Sequence, residues 1–296
     1  MNKIIIVLVF ITGTFSVFGQ EITEKPSRII SQTLSQRWEL DSADKKGIFR
    51  LNYYKPFYIT AGRWSNNPNA MPQSENPDYS VPEASPYNNY EAKFQLSFKS
   101  KVLQSMFWGQ GDLWIAYTQV AHWQIFNTDL SRTFRELNYE PELMLNFGLD
   151  ANVLGFRWRT VGVSFNHQSN GRDLPRSRSW NRVIFHAGLE KDRWMIVFRP
   201  WIRLPDEEDE NPLISDFIGR AEATVAYTVK NHSFYILARN NLSLNPNRGS
   251  AQFNYVFPIK NNLRGHLQIF DGYGETMIDY NHRQTTIGLG ISFVDW

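Results

Sequence analysis

Apolar residues recur at every second position in stretch after stretch of this 296-residue chain. Leu143, Leu145, Phe147 and Leu149 fall on one side of an extended backbone, and Glu142, Met144 and Asn146 on the other. Val183, Phe185, Ala187 and Leu189 alternate with Arg182, Ile184 and His186. Ile287, Leu289, Ile291 and Phe293 alternate with Thr286, Gly288, Gly290 and Ser292. Successive side chains of a strand point to opposite faces, so this period makes strands with one apolar face and one small or polar face. Such strands suit a wall between lipid and a polar lumen.

Twelve stretches read as strands: 46–62, 88–101, 108–126, 135–150, 154–169, 179–190, 193–204, 216–229, 231–243, 249–258, 262–272 and 284–296. The connections after even-numbered strands are short, and those after odd-numbered strands are mostly longer. Outer-membrane barrels have short periplasmic turns and long outside loops. The expected fold is therefore all-β, a transmembrane antiparallel barrel of twelve strands with both termini in the periplasm and loop 170–178 outside. The aromatic last residue, Trp296, is in keeping with that. Mean hydropathy is negative although the chain holds ten Trp, thirteen Tyr and twenty-one Phe. A barrel accommodates both facts, because only alternate residues meet lipid.

Residues 1–20 read as a secretory signal, with Lys3 ahead of the apolar run Ile4 to Ile11 and small residues near Ser16 and Gly19. Residues 21–45 form a polar periplasmic segment with a short helix expected around Ile30 to Leu40, and 46–296 the barrel. No other stretch reaches the run of about 18 apolar residues that a membrane helix needs. The chain has no cysteine, which excludes disulfides, thiol nucleophiles and cysteine-bound zinc. A net charge of +2 makes no case for nucleic acid.

The chemistry is concentrated in Asn166-His167-Gln168-Ser169-Asn170-Gly171-Arg172 and the following Ser177-Arg178-Ser179-Trp180-Asn181-Arg182. His167 and Ser169 share a strand face with Val163 and Phe165, the apolar, lipid-facing side, and a hairpin returns Asn181 beside His167. An isolated His-x-Ser is ordinarily an incidental polar pair; with Asn181 it becomes nucleophile, base and orienter. Asparagine carries no charge, so another group must meet the negative charge developing on an attacked ester. A hard cation suits that task, and the stretch Gly171 to Ser179 offers oxygen ligands.

The string NHQSNGRDLPRSRSWNR resembles the outer membrane phospholipase A family, as do YTQVAHWQ at 117–124, FRELNYEPEL at 134–143 and GYGETMIDYN at 272–281. The resemblance runs from about Tyr117 to the C-terminus. It implies a twelve-stranded barrel that hydrolyses acyl esters of glycerophospholipids, with phospholipase A1, A2 and lysophospholipase activity. It implies Ser169 as nucleophile, His167 as base and Asn181 as third member. It further implies a Ca2+ cofactor held at positions matching Arg172 and Ser177, with a contact from a partner subunit at the position matching Ser131. Activity in a homodimer whose interface includes Gln119 is also implied. Leu174 departs from the acidic residue of some relatives. The acidic run Asp206 to Glu210 reads as a solvated loop, with cation binding the lesser alternative. Two other functions remain open on sequence: a silent porin-like or structural barrel with Arg182, Arg199 and Arg203 lining a pore, and a barrel esterase acting on lipid A.

Overall fold

The computed structural model describes residues 32–260 and 263–294. The signal at 1–20, the start of the expected helix and Trp296 lie outside the described residues. Among the described residues, the chain closes into one antiparallel barrel. Strand β1 runs over Leu51–Tyr53 and, after an interruption, Phe57–Ser65. Both pieces pair in turn along the same edge of β2, so they make one barrel position. The interruption holds Pro56, which has no N–H for the ladder. The strands that follow are β2 (Tyr90–Leu103), β3 (Asp112–Trp123), β4 (Glu136–Val153), β5 (Phe156–Ser169), β6 (Ser179–Lys191) and β7 (Trp194–Leu204). The last five are β8 (Ala221–Val229), β9 (His232–Asn240), β10 (Gly249–Lys260), β11 (Leu263–Tyr273) and β12 (Arg283–Val294). Each strand pairs with its sequence neighbours, and β12 pairs with β1 to close the ring. The twelve expected strands are all present.

Several boundaries shift by up to five residues; the first strand starts at Leu51 and not at 46, and the third spans Asp112–Trp123 and not 108–126. The eighth strand begins at Ala221, because a helical turn, α2 (Ile214–Phe217), precedes it and buries Ile214 and Ile218. The N-terminal helix α1 is confined to Leu34–Trp38. Thr33 and Gln36 form its capping box, and Glu39 ends it in the left-handed conformation.

A five-residue helix is marginal by itself, so packing must hold α1. It enters the barrel at the end where the turns are tight. Trp38 packs edge-on against Trp114 at 5.8 Å and against Tyr54 at 6.0 Å, and stacks on His186 at 5.6 Å. Lys99 Nζ lies 3.1 Å from the centre of the Trp38 ring. At the opposite end, where the connections are long, α2 and loop 274–282 cap the lumen. Ile214, Ile218, Met277 and Tyr280 pack there against Trp180 and Trp201.

Between the caps the lumen is crossed by ion pairs. Arg199 meets Glu142 at 2.6 Å, and Arg182 meets Glu140 at 3.3 Å. Arg63 bridges Glu91 and Glu275, and Arg135 bridges Glu91 and Asp279. Burial drives the Glu275 carboxyl up, but Arg63 and Lys93 outweigh it and hold the group below the usual carboxylate range. Arg182 and Arg199 do face inward, yet they are paired with Glu140 and Glu142 across the lumen. Arg203 lies at the loop end, donating to Asp209 and to the Pro212 carbonyl. Outward positions are apolar and open, including Leu143, Phe165, Phe185, Ile202 and Leu289.

Candidate active site

Strands β5 and β6 carry the expected residues and are joined by loop 170–178. Their register sets His167 opposite Asn181 and Ser169 opposite Ser179. Inward neighbours lock that register. Trp180 Nε1 donates to Gln168 Oε1 at 2.9 Å, and Arg182 donates to Asn166 Oδ1 at 2.6 Å. The Arg182 guanidinium also lies over the rings of Trp180 and Trp201, at 4.1 and 5.1 Å. His167, Ser169 and Asn181 therefore stand on the other, outward face, half-buried, beside the exposed Phe165.

His167 Nδ1 lies 2.9 Å from Asn181 Oδ1. An amide oxygen only accepts, so Nδ1 carries the proton and Nε2 is left as the basic nitrogen. Ser169 is two positions along the same face. Among the described residues its hydroxyl makes no hydrogen bond with the imidazole. Catalytic hydrogen bonds of this kind often tighten only when substrate is bound. The arrangement can deliver an activated hydroxyl to an ester reached from outside the barrel.

Loop 170–178 is organised as a compact cradle. Arg178 is fully buried and donates to the carbonyls of Ser177, Pro175, Gln73 and Tyr79, tying this loop to 66–89. Burial pulls its guanidinium below the ordinary value. Arg172 donates to the carbonyls of Phe134 and Arg135, so its side chain is turned into the protein wall. Any ligand oxygen it offers is its main-chain carbonyl. Ser177 Oγ donates to Glu210 Oε1 at 2.6 Å. The second oxygen of Glu210 is buried without a hydrogen-bond partner. Such an orphaned anionic oxygen beside a hydroxyl fits a hard cation. Among the described residues no cluster of three or more His, Cys, Asp or Glu has metal-site geometry, so a cation here would rely on hydroxyl and main-chain oxygens together with this one carboxylate. Ser131 sits in loop 124–135, where its carbonyl accepts from Trp123 Nε1 at 2.8 Å. No hydrogen bond links it to loop 170–178 among the described residues of one chain. Gln119 faces outward on β3, its Oε1 accepting from the Tyr117 hydroxyl.

Asn170 and Arg178 carry no role in the sequence pattern, and Glu210, in the acidic run expected to be a solvated loop, turns instead onto Ser177. Asn170-Gly171 is a turn signal in its own right, whereas the fit of Glu210 to Ser177 depends on two loops meeting.

The phospholipase A1 family model matches residues 34–293. The phospholipase A1 of Escherichia coli strain K12 is 35% identical over 205 residues, which is 69% of this chain and 70% of that protein. The outer membrane phospholipase A structure from Escherichia coli superposes with a TM-score of 0.75 at 31% identity, covering 85% of this chain and 94% of that one. The Salmonella typhi outer membrane phospholipase, a dimer with bound calcium, superposes with a TM-score of 0.74 at 30% identity, covering 85% and 94%.

Proposed function

The chain belongs to the outer membrane phospholipase A family and is a phospholipase of the outer membrane, and from that premise we propose that it cuts glycerophospholipid acyl esters with Ser169, His167 and Asn181. The observation that carries this reading is the 2.9 Å contact of His167 Nδ1 with Asn181 Oδ1, with Ser169 two residues on along the same face. Ser169 Oγ attacks the ester carbonyl as His167 Nε2 takes its proton. The imidazolium then returns that proton to the leaving alcohol. Asn181 holds the ring in the tautomer that leaves Nε2 basic. Water, activated by the same nitrogen, releases the fatty acid from Ser169. Substrate reaches the serine from the lipid side, so no path through the lumen is required.

Calcium is the proposed cofactor, held by the Arg172 carbonyl and the Ser177 hydroxyl, with Ser131 of the partner subunit completing the site in a homodimer. The chemistry it supplies when bound is positive charge beside the developing oxyanion. Gln119, on the outward face of β3, is placed at the proposed dimer interface. With loops 66–89, 124–135 and 170–178 at one end, the active site faces the outer leaflet. Hydrolysis at both acyl positions and of lysophospholipids is part of the same proposal.

The test is fatty-acid release from phospholipid–detergent micelles by wild type and Ser169→Ala, with calcium and with chelator. Release that requires both Ser169 and calcium is expected. Release that survives Ser169→Ala would overturn the assignment. No release from folded wild type would point to a silent barrel, and faster release from lipid A than from phospholipid would change the substrate class.

A further inference from the structure

Asn170 directly follows Ser169, turns inward and is 2% exposed. Its main-chain and side-chain groups join the two ends of loop 171–177. The Asn170 N–H donates to the Arg178 carbonyl at 3.0 Å. Its Oδ1 accepts from the N–H of Arg178 at 2.9 Å and of Arg172 at 3.3 Å. Its Nδ2 donates to the Arg176 carbonyl at 2.8 Å and to Glu136 Oε2 at 3.4 Å. A side-chain amide has two acceptor lone pairs and two donor hydrogens, and all four are in use here.

Glu136 is itself fully buried, at the start of β4. Its Oε1 accepts from Asn138 Nδ2 at 2.8 Å and from the Ile278 N–H at 3.3 Å. Asn138 Oδ1 in turn accepts from the Met277 N–H at 3.0 Å. A continuous polar path therefore runs from the lumen-capping loop 274–282, through β4, to the loop after Ser169. Surface loops without such ties open locally at low free energy.

We infer that Asn170, anchored by Glu136, is a positioning residue that holds loop 171–177 in the geometry its oxygens need to receive the cation. This rests on the calcium reading given above. Asn170 touches neither substrate nor cation; it presets the backbone of Arg172 and the approach of Ser177. A side chain that merely stabilised the barrel would lower the unfolding temperature and leave cation affinity alone.

The experiment measures calcium binding by titration calorimetry on the folded, full chain in detergent. Ser169→Ala is the reference, so that no turnover occurs. Adding N170A is expected to weaken calcium binding about tenfold, the effect of roughly one net hydrogen bond of loop order. In the Ser169 background the same change raises the calcium needed for half-maximal rate, and saturating calcium restores most of kcat. N170D keeps acceptors for both main-chain N–H groups but sets a carboxylate against Glu136. Adding E136Q supplies a donor to that new carboxylate, and binding tighter than in N170D alone is expected. Unchanged affinity in folded N170A overturns the inference, as does an N170D/E136Q protein that binds no better than N170D. If N170A does not fold, the latter pair carries the same test. If the Ser169→Ala reference binds no calcium, the cation reading fails first and takes this inference with it, a result the reference alone reveals.

Discussion

Replacing Asn181 by alanine isolates the orienting member of the proposed triad. The side chain contributes one hydrogen bond to His167, 2.9 Å long, between neutral groups on a half-buried face. A neutral hydrogen bond is worth about 0.5–1.5 kcal/mol net, against about 1.5–3 for one to a charged partner. In the transition state the imidazole becomes imidazolium, so the bond strengthens toward the upper range as charge develops. The bond already exists in the ground state, so kcat loses only the increment, about 1–1.5 kcal/mol, or roughly fivefold to thirteenfold. KM should change little, because Asn181 contacts the base and not the lipid. The assay is initial-rate fatty-acid release from mixed micelles at saturating calcium, with folding checked by the shift in gel mobility on heating. Asn181→Asp keeps an acceptor at the same place with a charge, and should retain more activity than alanine. Unchanged kcat in Asn181→Ala, or a loss as complete as that of Ser169→Ala, would refute the role.

Three further outcomes follow from the packing. Removal of residues 32–46, which takes Trp38 off Trp114, Tyr54 and Lys99, should give a barrel with greater conductance in planar bilayers than the full chain; an unchanged trace would show that the lumen ion pairs limit passage alone. Glu275 has its carboxyl held below the usual range, so its pairing with Arg63 and Lys93 stabilises the fold above the ordinary carboxylate value and is lost as pH falls through the lowered one. Thermal unfolding should therefore become easier in acid, and Glu275→Gln should cost about 3–5 kcal/mol at neutral pH while flattening that acid dependence. Gly290→Ala would drive a Cβ into the Ile59 carbonyl at the seam between β12 and β1. A loss of about 1–3 kcal/mol in urea unfolding is expected, and wild-type stability would mean the seam can shift.

Much of this molecule is legible along the chain because a barrel strand is a local object. Alternation at Leu143–Leu149 or Ile287–Phe293 needs no knowledge of the rest of the fold, since lipid lies on one side wherever the strand sits. The His167 and Ser169 spacing is local too, for period two places them on one face whatever surrounds them. The eighth strand begins later than its pattern suggests because residues 214–218 gain more by burying Ile214 and Ile218 on Trp180 and Trp201 than by extending a wall. Alternation cannot report such a contact, as the partners come from β6, β7 and loop 274–282.

Tertiary structure alone decided what fills the barrel. From sequence alone, Arg182, Arg199 and Arg203 read as the pore lining of a porin-like barrel. Whether an inward charge is paired depends on partners far away in sequence: Glu275 lies 212 positions from Arg63, and Glu142 lies 57 from Arg199. Those groups meet only when the ring closes and shortens the separation to a hydrogen bond. Burial then favours pairing strongly, because an unpaired charge inside the wall would be left without water. The same closure brings loops 66–89, 170–178 and 205–220 together, and so sets Glu210 against Ser177 and buries Arg178. Strand pattern and the spacing of His167 and Ser169 therefore belong to the sequence, while the lumen ion pairs and the cradle behind Ser169 belong to the closed barrel.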